Sequence, residues 1–344
     1  MAASHQTDKA TSHQTDIVVI GAGPVGLFAV FQCGMLDMKC HVVDALDVIG
    51  GQCSALYPEK PIYDIPSRPS VTGQELVDQL SQQAAPFKPV YHLGQQVQKL
   101  EKIPTGWCVM TSTGAAIDCK VVMIAGGAGA FVPNRPPLNG IESFEGKSVF
   151  YAVGKRENFK GKRIVIAGGG DSAVDWAISL AEVAASVAVV HRRDVFRAAP
   201  ESVKKMQDLA ASGKIEMVVP YQLSGLEGAN GQITKVLVKT LQGEERALQA
   251  DMLLPFYGLA TSLGPIAEWG FDLHKQQINV TPSTCETNQR GIYCVGDMAH
   301  YAGKLKLILQ GFSEVAMAAH AAYAHVYPDK VLNHTHSTDK GLPV

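Results

Sequence analysis

The same glycine-rich turn occurs twice in this chain, each time between a short apolar strand and a helix. The first copy lies in residues 16–44 with the pattern G-x-G-x-x-G, and the second lies in residues 163–190 with G-x-G-x-x-A. In such a βαβ unit the small residues let a dinucleotide pyrophosphate approach the amino end of the helix, where free N–H groups favour negative charge. The predicted contact residues are Gly21, Gly23, Pro24 and Gly26 in the first turn and Gly168, Gly170, Asp171, Ser172 and Ala173 in the second.

This duplication predicts an α/β fold with two Rossmann-like, three-layer nucleotide-binding domains, the second inserted into the first. A length of 344 residues, 46% of them hydrophobic, is sufficient for two cores. We expect an outer, discontinuous domain of residues 16–133 and 261–344, an inserted domain of residues 134–260, and a disordered leader over residues 1–15. Residues 107–125 predict a small antiparallel meander, and a long apolar helix is expected from about residue 307 to 324.

The residue that ends the second strand differs between the two copies. In the first copy this residue is Asp44, 23 positions after Gly21. The residue 23 positions after Gly168, in the second copy, is His191. A carboxylate there can accept hydrogen bonds from the ribose of an adenosine. In the second copy Arg192, Arg193 and Arg197 follow, and guanidinium groups bind a 2′-phosphate through paired, charge-assisted hydrogen bonds. The second nucleotide is therefore predicted to be NADP(H) rather than NAD(H), the alternative being a solvated basic stretch.

A further apolar strand, residues 291–295, ends at Gly296-Asp297. An acid at the end of a core strand can hold a ribityl or phosphate-linked hydroxyl. The following helix can direct its amino end at the pyrimidine edge of a flavin and stabilise the anionic reduced ring. Two nucleotide sites in one chain, together with this Gly-Asp ending, favour electron transfer between a flavin and a nicotinamide. A Gly-Asp pair by itself also fits a turn followed by a capped helix.

Charge and cysteine spacing exclude several other classes of protein. The formal net charge is −2, which gives no reason to expect nucleic acid or a membrane surface as a partner. Glycines and a proline interrupt the longest apolar stretch, and we find no secretory signal. None of the seven cysteines forms a C-x-x-C pair, so we expect reduced thiols, no metal site and a cytoplasmic protein.

Several further short motifs indicate a protein family when they are considered together. They are Gly50-Gly51-Gln52, Tyr57-Pro58, Tyr63-Asp64-Ile65-Pro66, the run from His191 to Arg197, Gly296-Asp297 and the run from Gly303 to Ile308 with Gly311-Phe312. With the two glycine turns, they make the chain resemble the thioredoxin-reductase-type ferredoxin–NADP⁺ reductases, a family of homodimeric FAD proteins. The resemblance covers nearly the whole chain after the leader.

The resemblance implies an FAD site in the outer domain. Its residues would be Asp44, Gly51, Gln52, Tyr57, Asp64, Val97, Phe131, Asp297, Ser337 and Thr338, together with the first glycine turn. Tyr57 would lie against one face of the isoalloxazine, and a C-terminal His336, or the nearby His334, would cover the other face across a dimer. Lys304 and Lys306 are candidates for docking an acidic ferredoxin, the alternative being ordinary solvated lysines.

The resemblance also implies the reaction. FAD would exchange single electrons with ferredoxin or flavodoxin and a hydride with NADP(H), and no side chain is required as a general acid. Thioredoxin reductases carry a C-x-x-C pair shortly before the second glycine turn, whereas residues 151–155 contain no cysteine here. A disulfide reductase of that type is therefore opposed by the sequence. A flavin- and NADPH-binding protein with only diaphorase activity is the remaining alternative.

Overall fold

A computed structural model describes residues 12–332 and residues 341–342 of the chain. The chain forms two compact units, one running up to Phe131 and resuming at Thr261, the other comprising Val132–Ala260. The first of these boundaries lies two residues before the predicted one, and the second coincides with it. The units are described separately below.

The first segment of the outer unit alternates strands and helices from its start. Its strands are β1 Ser12–Ile20, β2 Cys40–Val43, β3 Pro61–Ile62, β4 Val71–Thr72, β5 Val90–His92, β6 Val97–Ile103, β7 Gly106–Thr111, β8 Ala116–Ile124 and β9 Ala130–Pro133. Its helices are α1 Pro24–Met35, α2 Gln52–Ala55 and α3 Gly73–Ala84, with a 3₁₀ turn at Ala85–Phe87.

The inserted unit repeats the strand–helix–strand order. Its 3₁₀ turns are Ile141–Ser143 and Arg156–Phe159, and its helices are α4 Asp171–Leu180 and α5 Pro200–Ala211. Its strands, including the one that leads out of the unit, are β10 Arg163–Ala167, β11 Ser186–Val190, β12 Ile215–Val218, β13 Gln222–Ala229, β14 Gln232–Lys239, β15 Glu245–Gln249, β16 Met252–Pro255 and β17 Leu259–Ser262.

The last segment returns to the outer unit. Its strands are β18 Leu273–His274, β19 Gln277–Asn279, β20 Ile292–Cys294 and β21 Ala299–His300, its 3₁₀ turns are Gly264–Glu268 and Gly296–Met298, and it ends in helix α6 Ile308–Val326. Helix α6 confirms the predicted long apolar helix and is two residues longer at its carboxyl end.

The outer unit is built of three layers around a parallel sheet in the order β5-β2-β1-β8. Strand β20 pairs in parallel with the second half of β8, and the antiparallel strand β7 pairs with its first half and with β6. Helices α1 and α6 pack on one face through the buried residues Ala29, Val30, Val315, Ala318 and Ala322. The meander packs on the other face through Val97, Trp107, Val109, Ile117 and Cys119.

The inserted unit has the same three layers. Its sheet is parallel in the order β12-β11-β10-β16, and strands β13, β14 and β15 form an antiparallel meander. Helices α4 and α5 pack on one face through Val174, Ala177, Leu180 and Met206. The meander packs on the other face through Leu223, Ile233, Val236, Val238 and Leu248. The predicted fold class, with two Rossmann-like, three-layer arrangements and one inserted in the other, is confirmed.

One expectation about the amino-terminal leader is wrong. Residues 12–15 were expected to be disordered, but β1 begins at Ser12, and its first residues pair with Ala116–Cys119 of β8. A parallel ladder is formed by backbone N–H and carbonyl groups, so a polar stretch can continue a strand when a partner lies beside it. Residues 1–11 of the expected leader lie outside the described part of the chain.

Candidate functional site

A cavity of about 360 Å³ opens in the outer unit where strands β1, β2 and β8 end. Among the residues predicted from the sequence, those that line it are Gly21, Gly23, Pro24, Asp44, Gly51, Gln52, Tyr57, Val97, Phe131 and Asp297. The size falls within the range of small-molecule sites, and the carboxyl end of a parallel sheet is where such folds bind ligands. The structure thus brings residues from distant parts of the sequence to one concave surface.

The first turn requires glycine for two different reasons. Gly21 has a φ of +109°, and a Cβ atom on it would lie 2.4 Å from the carbonyl oxygen of Ala125, the residue that follows the neighbouring strand β8. Gly26 is buried inside α1, where a Cβ would lie 1.9 Å from the carbonyl oxygen of Gly21. Gly26 therefore lets the helix approach the turn and does not line the cavity itself. Gly23 caps the amino end of α1, and the nearest atom to a Cβ there is 4.0 Å away, which leaves room for a phosphate.

Two backbone N–H groups hold the Asp44 carboxylate at the edge of this cavity. The N–H of Ala22 donates to Oδ2 at 2.6 Å, and the N–H of Leu46 donates to Oδ1 at 2.8 Å. Burial raises the pKa of Asp44 above its ordinary value, and the two hydrogen bonds partly oppose that rise. An acceptor fixed in this way, beside the glycine turn, is suited to the hydroxyl groups of a ribose.

Tyr57 and Asp297 line the cavity as well. The Tyr57 hydroxyl accepts a weak hydrogen bond from the Cys53 thiol, with Sγ and Oη 3.7 Å apart. Burial raises the pKa of Tyr57 above its ordinary value, and its neutral aromatic ring lines the cavity. Burial also raises the pKa of Asp297, although the nearby charges of Lys304 and Lys306 act in the opposite direction. An aromatic face and a partly desolvated carboxyl are suited to a planar ring with a hydroxylated chain.

Several sequence-predicted residues lie elsewhere. Asp64 is exposed and does not line the cavity. Ser337, Thr338, His334 and His336 lie outside the described residues. The suggestion that Lys304 docks a ferredoxin is wrong, because its side chain is buried against Glu314, whereas Lys306 is exposed.

Other lining residues were not predicted. They are chiefly Ile20, Val25, Cys53, Gln95, Gln96, Leu263, Pro265, Ile266, Met298 and Ile308. Most lie on connecting segments without a regular period, so the sequence carries no signal that their side chains face the same space. Five of them lie within or directly beside motifs that had been singled out, but those motifs did not indicate that these side chains line a cavity: Ile20, Val25, Cys53, Met298 and Ile308.

The second glycine turn, in the inserted unit, has the same construction. Gly168 has a φ of +154°, and a Cβ there would lie 2.6 Å from the carbonyl oxygen of Phe256. Gly170 caps the amino end of α4 and has no atom within 4 Å of the place of a Cβ, so this surface is open. Ala173 is fully buried and occupies the packing position that Gly26 has in the first turn. Asp171 and Ser172 are exposed in the first turn of α4.

The segment after β11 folds back over this turn. The Arg197 N–H donates to the Gly169 carbonyl at 2.7 Å, and the Ala199 N–H donates to Oδ1 of Asp171 at 2.9 Å. The His191 ring packs on Phe196, with ring centroids 4.9 Å apart. These contacts place residues 192–197, all of them exposed except the half-buried Phe196, beside the open end of α4.

This segment creates a positive potential. The pKa of His191 is lowered, first by burial and then by the charges of Arg192, Arg197 and Arg193, while a backbone hydrogen bond to Val195 opposes the shift. All three guanidinium groups are therefore close enough to influence one imidazole, and all three residues are exposed. Such a cluster beside a helix amino end is suited to an anion with more charge than a simple pyrophosphate.

The cysteines are free thiols, and Cys53 is the only one of the seven that lines the cavity. In residues 12–332 no group of three or more His, Cys, Asp or Glu side chains has the arrangement needed to hold a metal ion. Within the same described range, no helix has both the length and the apolar character required to cross a membrane.

Comparison with known proteins agrees with this geometry. The family model of the pyridine nucleotide-disulphide oxidoreductases matches residues 15–325. A protein of Paramagnetospirillum magneticum named ferredoxin–NADP reductase is 59% identical over 332 residues, which are 96% of this chain and 98% of that relative. A protein of Rickettsia felis with the same name is 56% identical over 329 residues, 96% of this chain and 98% of its own length.

Solved structures support the fold alone. A thioredoxin reductase of T. acidophilum superposes with a TM-score of 0.76 at 23% identity, covering 91% of this chain and 98% of that one. A thioredoxin reductase of Lactococcus lactis gives 0.75 at 24% identity, with 91% and 99% covered. The fold and both sites are those of a two-domain flavin and pyridine nucleotide protein. The chain belongs to the pyridine nucleotide-disulphide oxidoreductase family, in the branch of relatives that carry the name ferredoxin–NADP reductase.

Proposed function

We propose that this protein is a ferredoxin–NADP⁺ reductase that binds FAD in the outer unit and NADP(H) in the inserted unit. The observation that carries the proposal is the difference in charge that follows the second strand of two equivalent strand–helix–strand units. Asp44 stands at the end of β2, whereas His191 and three arginines stand at and after the end of β11. One turn is thus suited to an unmodified ribose and the other to a 2′-phosphate. The name of relatives up to 59% identical supports the same activity.

The protein's own contribution to this reaction is placement. The turn from Gly21 to Gly26 would receive the FAD pyrophosphate, Asp44 the adenosine ribose, and Tyr57 with Asp297 the flavin end. FAD, when bound, supplies the conversion between one-electron and two-electron transfer. The residues Val97, Phe131 and Ile308 line the same cavity and give part of it an apolar surface. We assign no side chain as a general acid or base.

We further propose that ferredoxin, or a flavodoxin in its place, is the protein partner, and that the chain works as a homodimer in the cytoplasm. The family resemblance supports the dimer, in which His336 of one subunit would cover the flavin of the other. The remaining proposed contacts, Asp64, Ser337 and Thr338 with FAD, rest on the same resemblance. Neither a nucleic acid nor a membrane is required as a partner.

The decisive experiment is NADPH-dependent reduction of cytochrome c with and without added ferredoxin. We expect the rate to increase in proportion to ferredoxin at low concentrations and then to saturate. A rate that is independent of ferredoxin would contradict the proposal and favour a protein with only diaphorase activity. Reduction of a dithiol-linked disulfide substrate at a comparable rate would favour a disulfide reductase, which the single cavity thiol, Cys53, opposes.

A further inference from the structure

The loop between β20 and α6, residues 295–307, forms one wall of the FAD cavity. Asp297, close to its start, and Ile308, the first residue of the helix that follows, both line the cavity. Beyond β21 the loop has little regular structure, and Ala302, Gly303, Leu305, Lys306 and Leu307 are exposed. Hydrogen bonds between strands therefore cannot explain how the loop is held in place after residue 300.

The start of this loop is held in part by Gln277, whose Nε2 donates to the Asp297 carbonyl at 2.7 Å and to the Ala299 carbonyl at 3.1 Å, and a buried carboxylate makes the further contacts. Glu314, on the second turn of α6, accepts hydrogen bonds from the Gly296 N–H at 2.7 Å and from the Tyr301 hydroxyl at 2.6 Å, and it forms an ion pair with Lys304. Gln310 in turn donates to the Tyr301 hydroxyl at 2.7 Å. The side chains of Glu314 and Lys304 are 0% and 3% exposed. The carboxylate thus binds the start, the middle and the later part of one loop.

Close packing leaves α6 little freedom to adjust. A Cβ atom on Gly311 would lie 2.5 Å from the side chain of Val25 and 3.3 Å from Cα of Gly296. Val25 itself lines the cavity, next to the first glycine turn. The helix that carries Glu314 is therefore in direct contact with the wall of the nucleotide site.

Stability alone is a weak reason for such a pair. Burying two charges costs about as much as their attraction returns, and apolar replacements of both partners are often neutral. Removing one partner is costly because a buried charge is left without compensation. An arrangement of this kind therefore contributes more to fixing positions than to the free energy of unfolding.

We propose that Glu314 and Lys304 are positioning residues that hold Asp297 and the amino end of α6 in place for the flavin end of FAD. This inference rests on the proposed FAD site, because it assigns the cavity wall formed by Asp297 and Ile308 to the flavin half of the cofactor. Asp44 would take the adenosine ribose on the other side of the pyrophosphate turn, which leaves this wall for the flavin.

The experiment uses three variants of the full chain, Glu314→Gln, Lys304→Met and the double variant. For each we would measure the FAD dissociation constant by flavin fluorescence, the midpoint potential of the bound flavin, and the melting temperature of the flavin-depleted protein. Val326→Ala is the matched control, because it removes buried methyl groups at the carboxyl end of α6, about 27 Å along the helix axis from Ile308 at the cavity and about 18 Å from Glu314.

We expect each single variant to lower the melting temperature and to raise the FAD dissociation constant about tenfold or more. In the double variant no charge remains unpaired, so the melting temperature should recover while the dissociation constant stays raised.

The midpoint potential of the flavin bound to the double variant should decrease by about 30 mV, because the helix end stabilises the anionic reduced flavin less. This decrease is equivalent to a tenfold weaker preference for reduced flavin. The double variant conserves the net charge of the chain. Val326→Ala should lower the melting temperature and leave the FAD dissociation constant within about twofold.

Recovery of both FAD affinity and melting temperature in the double variant would overturn the inference, because the pair would then have only a structural role. An equal loss of FAD affinity in Val326→Ala would overturn it as well. If the wild-type chain did not bind FAD, the proposed function itself would fail. If wild-type binding were normal and the variants bound FAD equally well, only the positioning role would fail.

Discussion

The imidazole of His191 lies against Gly169 so closely that a Cβ atom on Gly169 would be 2.3 Å from the ring. The Arg197 N–H donates to the carbonyl of the same glycine. Gly169 therefore connects the open turn before α4 with the segment that carries the arginines. This contact assigns the middle glycine of the turn a role in positioning the basic segment, whereas Gly170 remains open towards a ligand.

Replacement of Gly169 by alanine tests this connection. The methyl group would displace His191 and with it the segment 192–197, so we expect kcat/KM for NADPH to fall about tenfold or more, equivalent to ~1.4 kcal/mol. Because NADH has no 2′-phosphate to lose contact with, its kcat/KM should change less. Gly154→Ala in the same unit is the control, since no atom lies within 4 Å of its added Cβ. Equal losses with both nucleotides would contradict the assignment.

The three arginines should act on NADPH and not on NADH. Alanine at Arg192, Arg193 or Arg197 removes a charge-assisted hydrogen bond, worth about 1.5–3 kcal/mol, so kcat/KM for NADPH should fall roughly 10- to 100-fold. Steady-state kinetics with both nucleotides checks this, with Lys214→Ala as an exposed cation of the same unit for control. If wild-type efficiency were equal for NADPH and NADH, the basic segment would not be a phosphate site.

Asp44 should be required for FAD affinity. Asp44→Ala removes the acceptor for the ribose and leaves the N–H groups of Ala22 and Leu46 without their partner, so we expect the FAD dissociation constant to rise at least about tenfold. Asp44→Asn retains one oxygen and should lie between this variant and the wild type. Fluorescence titration measures the effect, and the exposed Asp47→Ala serves as the control. Unchanged affinity in Asp44→Ala would remove Asp44 from the site.

A cluster of histidines should make the outer unit sensitive to acid. Nδ1 of His41 lies 3.1 Å from Nε2 of His92, and the His13 ring centroid is 5.6 Å from that of His41. Burial, then the charges of His92 and His13, lowers the pKa of His41 to about 4. The unfolded chain therefore binds more protons below its ordinary pKa of 6.5, and the free energy of unfolding decreases as the pH falls from about 6.5 to about 4.

Melting temperatures across this pH range measure the effect. His41→Gln removes the imidazole whose pKa the fold lowers. The melting temperature of this variant should therefore decrease less on acidification than that of the wild type. His320→Gln, on the surface of α6, should retain the wild-type slope. An identical slope in His41→Gln would show that the cluster does not govern acid stability.

Much of the fold could be predicted from the two glycine turns and the periodicity around them, because these patterns depend on neighbours in sequence. The parallel strands, the helices and the meander are examples. The start of β1 was missed because residues 12–15 are polar and gain their strand conformation from β8, about 100 residues away. The local pattern carries no information about such a partner.

By itself, the sequence determined the residue types at the two proposed nucleotide sites, namely the glycines of both turns, the acid after one and the arginines after the other. Only the tertiary structure decided which side chains share the cavity and which are withdrawn from it. It buried Lys304 on Glu314 while Lys306 stayed exposed, and it left Asp64 outside the cavity. The physical reason is that a motif specifies local backbone geometry and residue type, whereas burial and pairing depend on groups that the fold brings together from distant segments.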